Sequence, residues 1–117
     1  MPTPNPDALT FLQTRRSRPA KTLAMPVPDR AELELLLTAA ARTPDHGKLE
    51  PWRFIVIEKT AMPRMTAIAQ TRGMALGLDE EQVKKGRGQF DQGHLAVAVI
   101  EVQKPSPKIP TLEQTYS

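Results

Sequence analysis

The stretch Arg42-Thr43-Pro44-Asp45-His46-Gly47-Lys48-Leu49-Glu50-Pro51-Trp52-Arg53-Phe54-Ile55-Val56-Ile57-Glu58 decides how this chain is read. Its second half, Trp52 to Glu58, is short, rich in β-branched and aromatic residues, and apolar at both odd and even positions. A strand with that pattern is buried on both faces. We therefore expect a central strand, not an edge. The first half, Pro44 to Pro51, is loop chemistry throughout, and it must end whatever helix precedes it at Thr43.

Upstream of this junction, Asp29 and Glu32 stand in capping-box spacing, and Leu33, Leu36, Leu37, Ala40 and Ala41 follow at helical intervals. Further back, Asn5 can cap a helix that has Pro6 in its first turn and Asp7 complementing its dipole. Ala8, Leu9, Phe11 and Leu12 supply its apolar side. It should run out near Arg15 and Arg16, before Ser17 and the Arg18-Pro19 break. Residues 19–28 read as loop. Downstream, Thr60 can cap a third helix with Pro63 in its first turn, Met65, Ile68 and Ala69 facing inward, and an end near Gly73. Asp79 and Gln82 repeat the capping pattern before a short helix ending near Gly86. Leu95 to Val102 is a second strand. After it the chain turns polar and carries Pro105, Pro107 and Pro110, so residues 105–117 are expected to be an extended or disordered tail beyond a domain of residues 1–104.

Two strands are too few for such residues. A lone pair with apolar side chains on both faces exposes hydrophobic surface and two unpaired edges, and it needs further strands from elsewhere.

Composition narrows the function. At 117 residues the chain has room for one modest core. Hydrophobic residues at 39% and charged residues at 25% are ordinary for a globular protein and too apolar for a wholly disordered one. The absence of cysteine excludes disulfides, thiolate metal sites and cysteine nucleophiles. The N-terminus lacks a basic region followed by an apolar stretch, and no segment approaches the ~20 apolar residues of a membrane span. The expectation is a soluble cytoplasmic protein with no membrane partner. The net charge of +3 is scattered rather than gathered into a stripe, and it suits an anionic small ligand no less than a nucleic acid.

Two groups of residues can carry chemistry. Arg15, Arg16 and Ser17 place two guanidinium groups and a hydroxyl at a helix end, and guanidinium binds phosphate oxygens through a two-pronged fork. The plainer alternative is that these arginines only complement the helix dipole. Arg42, His46 and Lys48 add a guanidinium, an imidazole and an ammonium on the loop that enters the buried strand, a usual place for ligand-binding groups. The alternative there is a solvated connector. His46 as a metal ligand is set aside, because neither it nor His94 has a partner at metal-site spacing.

Taken together, Arg15-Arg16-Ser17 and Pro44-Asp45-His46-Gly47-Lys48-Leu49-Glu50-Pro51-Trp52-Arg53-Phe54 resemble the FMN-dependent nitroreductase family, particularly its small single-domain members. In that family an Arg-Arg-Ser triplet closes the first helix, and a Pro-Asp-His or Pro-Ser-Ser loop leads to a Gln-Pro-Trp strand start. The resemblance implies an α+β protein, with a three-layer α/β/α nitroreductase-like fold, truncated here, and helices packed on a small central sheet. It implies FMN as cofactor, NAD(P)H as reductant, and a homodimer whose interface holds the flavin. By the same resemblance Arg15, Arg16 and Ser17 hold the FMN phosphate and ribityl chain, while Arg42 and His46 approach the cofactor from the second loop. The implied reaction is ping-pong reduction of a nitroaromatic or quinone by two electrons, in which the cofactor performs the redox step and no side chain is a nucleophile.

The chain departs from the family pattern at Glu50, where Gln is usual, and at Phe90-Asp91-Gln92-Gly93-His94, where Arg-Ala-Pro is usual. Family chains also continue beyond this point through a long helix, further strands and a Gly-rich stretch. A second function class follows from that: a non-catalytic fragment of the fold that acts only as a dimer or interaction module. A basic nucleic-acid-binding module, suggested by the pI near 9.5, ranks last, for want of a basic stripe with interleaved aromatics.

Overall fold

The computed structural model describes residues 2–117. Its regular elements are α1 (Pro6–Thr14), α2 (Arg30–Ala40), β1 (Trp52–Glu58), α3 (Met62–Ala75), α4 (Glu80–Asp91), β2 (Leu95–Glu101) and α5 (Thr111–Thr115). Short 3-10 turns occupy Ala20–Thr22, His46–Lys48 and Lys59–Ala61. The α+β class expected from the sequence is the class observed.

Helix starts follow the capping chemistry. Asn5 Oδ1 accepts the N–H of Ala8 at 3.0 Å, with Pro6 in the first turn of α1. At α2 the box is reciprocal: Asp29 Oδ1 accepts from Glu32 N at 2.8 Å, and Glu32 Oε1 accepts from Asp29 N at 3.2 Å. Asp79 and Gln82 repeat those two bonds at α4, also at 2.8 and 3.2 Å. Each such cap is worth about 1 kcal/mol to its helix. The expected cap at Thr60 is replaced: a 3-10 turn precedes α3, Ala61 is its N-cap, and no side chain caps it.

Helix ends are less faithful to expectation. α2 stops at Ala40 rather than Thr43, leaving a turn before Pro44. α3 runs through Gly73 to Ala75. There Gly77, at φ 75°, donates to Met74 O at 3.0 Å while Leu78 N donates to Gly73 O at 3.1 Å. That is the paired bonding of a Schellman stop, which calls for a left-handed residue. Gly73 has a packing role instead: a Cβ built on it would stand 3.2 Å from Val83 Cγ2 of α4. α4 likewise continues through Gly86 and Gly88 to Asp91, closed by an Arg87–Asp91 pair at 3.1 Å. Arg87 also donates to Gln70 of α3. The two helices therefore form a hairpin that packs mainly on itself.

β1 and β2 pair antiparallel, in a register running from Trp52↔Glu101 to Glu58↔Leu95. Because opposed residues share a face, Phe54, Val56, Val97 and Val99 line one side, and Ile55, Ile57, Ala96, Ala98 and Ile100 the other. Both sides are apolar, as expected. The central position expected for β1 is not reached among the described residues, where the sheet has two strands and β1 has one open edge.

The core is correspondingly thin. Among the described residues Met62 and Ile109 are the buried large apolar side chains, while Leu9, Phe11, Leu12, Leu35, Leu36 and Val99 are all more than half exposed. The radius of gyration is 18.1 Å. A compact chain of this length has about 13 Å. The accessible surface is 9,889 Å², against about 6,300 Å² for a compact monomer of this mass. Apolar faces are thus formed and left uncovered.

Residues 105–117, expected as an extended or disordered tail, contain α5 and fold back on the chain. Gln114 is buried; its Nε2 donates to Lys104 O at 2.8 Å and its Oε1 accepts from Lys104 N at 2.7 Å. Reciprocal bonds from one amide to one backbone residue hold the segment in place, and Ile109 is buried beside them.

Candidate functional site: an exposed Arg15–Ser17 pair and a braced loop

The first cluster follows α1. Arg15 leaves the helix in an extended conformation, and its Nη2 donates to Ser17 Oγ at 3.4 Å. Arg16 turns the other way: its Nη1 donates to Arg15 O at 2.7 Å and to Gln13 O at 3.3 Å, bonding carbonyls at the helix end. Arg16 serves the helix terminus, while Arg15 and Ser17 face one another in solvent with free donors. Among the described residues no carboxylate pairs with Arg15, Arg16 or Arg42. An exposed guanidinium beside a hydroxyl, with no internal anion to satisfy it, is a donor set that fits a phosphate.

The second cluster is the loop of residues 42–51. Its backbone is left-handed at Gly47 (φ 75°), Lys48 (φ 52°) and Glu50 (φ 49°). For the two non-glycine residues that conformation costs roughly 1–2 kcal/mol each. The brace against it is Asp45, whose carboxylate accepts from Leu49 N at 3.2 Å and from Glu50 N at 2.8 Å. Sequence reasoning quoted Asp45 but gave it no role. The available signal was an Asx residue just ahead of a glycine in a helix-to-strand loop. Glu50, the departure from the family pattern, has its N–H held by that brace and its side chain exposed.

Arg42 is exposed at the start of this loop. His46 is exposed too, but its ring is held: Nδ1 lies 2.7 Å from Glu113 Oε1 of α5. The contact leaves Nε2 on the side of the ring away from Glu113. Glu113 was missed by sequence reasoning, because it lies in the segment read as a tail and no local pattern ties it to His46. Nearby, Thr115 Oγ1 and then Gln103 Nε2 donate to Glu101 at 2.7 and 2.8 Å, holding that carboxyl below the ordinary carboxylate range. No hydrogen bond among the described residues joins the Arg15–Ser17 cluster to the Arg42–His46 loop.

Comparison with known proteins decides the ancestry of this arrangement. A family model described as "Nitroreductase family" matches residues 12–100, which takes in both clusters, β1 and all of β2 but Glu101. The chain belongs to the nitroreductase family. Among curated relatives, a Haemophilus influenzae protein is 35% identical over 112 residues, covering 95% of this chain and 60% of its own length. An Escherichia coli K12 relative, YdjA, is 35% identical over 111 residues with the same two coverages. Both are named "Putative NAD(P)H nitroreductase". The present nitroreductase-family chain thus spans 60% of the length of the relatives it matches. No helix among its described residues is long and apolar enough to cross a membrane.

Proposed function

We propose that this chain carries the phosphate-binding part of the flavin site of an NAD(P)H-dependent nitroreductase, with FMN as cofactor. The observation that carries the reading is the Arg15–Ser17 pair, 3.4 Å apart, exposed and without a carboxylate partner among the described residues. Arg15 and Ser17 donate to the phosphate, Arg16 secures the end of α1 beside them, and Arg42 and His46 approach from the braced loop. FMN, when bound, would supply two-electron redox chemistry between NAD(P)H and a nitroaromatic or quinone, in ping-pong order. The chain's own residues bind and orient, and the Arg42 guanidinium favours the anionic reduced form.

We further propose a cytoplasmic homodimer in which a second copy covers apolar faces. The surface in excess of a compact monomer is about 3,500 Å² per chain, so two copies covering it would bury about 7,000 Å² in all, the size of a large obligate interface. The test is reductase assay with NAD(P)H and a nitroaromatic on FMN-loaded protein, with light scattering for mass. Turnover by a species heavier than one 13.0 kDa chain is expected. A folded monomer without turnover supports the second reading, an interaction module that retains the family fold, which the uncovered apolar faces favour.

A further inference from the structure

Residues 103–117 fold on themselves and are tied to the rest of the chain at two places, the loop of residues 42–51 and the end of β2. Gln114 pins the segment to Lys104 through both ends of its amide. Ile109 lies over the left-handed Gly47, where an added Cβ would come within 3.3 Å of its Cγ1. Thr115 ties α5 to the end of β2 through Glu101 at 2.7 Å. These anchors bring the Glu113 carboxylate to His46 Nδ1 at 2.7 Å, across 67 residues of sequence.

We infer that Glu113 is a positioning residue for His46: it fixes the Nδ1–H tautomer and the ring's direction, so that the neutral imidazole presents Nε2 as a hydrogen-bond acceptor to an N–H or O–H of the bound ligand. A free imidazole interconverts between tautomers and turns about its side-chain torsions. A carboxylate on Nδ1 removes both freedoms, as such partners do for metal-bound histidines. The ligand part of this inference rests on the reading of His46 as a flavin-site residue; the ring geometry does not.

The first readout is therefore the ring itself, by nitrogen NMR of histidine-labelled protein above the imidazole titration. The Nδ1–H form is expected at His46 in the unmodified chain and in Glu113→Gln, whose amide oxygen still accepts. The Nε2–H form or a mixture is expected in Glu113→Ala. Nε2–H at His46 in the unmodified chain overturns the inference without recourse to any variant, and so does a tautomer unchanged by Glu113→Ala. The second readout is FMN titration. Glu113→Ala is expected to weaken binding about fivefold, the worth of one hydrogen bond, with Glu113→Gln restoring most of it and His46→Ala at least as weak as Glu113→Ala. Weakening by His46→Ala but none by Glu113→Ala overturns the positioning role. Unchanged affinity in His46→Ala overturns the flavin reading of His46 alone, and the ring signals then decide the Glu113 contact.

Discussion

The carboxylate of Asp45 accepts the backbone N–H of Glu50 at 2.8 Å, spanning a loop in which three of the intervening and terminal residues are left-handed. The loop places Arg42 and His46 at the entrance to β1, so its shape depends on a residue that never touches the proposed ligand. Asp45→Ala is expected to destabilise the fold by about 1–3 kcal/mol, since two backbone donors lose a charged acceptor while the strain at Lys48 and Glu50 remains. Chemical denaturation of the two proteins measures it. A change below about 0.5 kcal/mol, the ordinary range for a surface substitution, would show that the brace is not needed.

The glycines of the helical hairpin separate by what surrounds them. At Gly86 and Gly88 an added Cβ meets nothing within 4 Å, whereas at Gly73 it meets Val83 at 3.2 Å. Gly86→Ala and Gly88→Ala should each stabilise by up to about 1 kcal/mol through helix propensity. Gly73→Ala must displace Val83, and it should fall below both in melting temperature. If Gly73→Ala is the most stabilising of the three, the packing of α3 on α4 described here is wrong.

These positions also show what the sequence can tell. Three helix starts were legible because a cap is a local device: Asn5, Asp29 and Asp79 bond within three residues of themselves, whereas α3 starts without a side-chain cap and Thr60 did not mark it. β1 was legible from end to end because its apolar run has no other use. Helix ends were not, since a glycine in a pattern does not reveal whether it stops the helix, as Gly77 does, or makes room for a neighbour, as Gly73 does. Likewise the tail could not be foreseen to fold back, because the bonds of Gln114 and Glu113 are made to distant backbone and to a distant ring. In the candidate site, Arg15, Ser17 and His46 were visible as residue types. That Arg16 bonds its own helix end was visible only as one of two options.

Glu101 links the end of β2 to α5, and its lowered pKa sets a pH dependence. A carboxyl whose folded pKa lies below its unfolded value contributes stability at pH above the unfolded pKa, and loses it as pH falls through the folded one. Attachment of α5 should therefore be complete at neutral pH and weaken in acid, as pH falls from the ordinary carboxylate pKa through the lowered one of Glu101. Protection of the amides of residues 111–117 in hydrogen exchange, corrected for intrinsic rates, reports it. Glu101→Gln should reduce that protection at neutral pH and flatten its dependence on acid. An identical pH profile in the variant assigns the acid sensitivity to another group.

The measurement closest to the central claim compares FMN with riboflavin, which differ by the phosphate alone, by flavin fluorescence titration of the chain and of Arg15→Ala. If Arg15 and Ser17 receive the phosphate, FMN should bind at least tenfold more tightly than riboflavin, the worth of charge-assisted hydrogen bonds at about 1.5–3 kcal/mol. Arg15→Ala should remove most of that difference and leave riboflavin affinity as it was. Equal affinities for the two flavins, or a preference for FMN untouched by Arg15→Ala, would contradict the account.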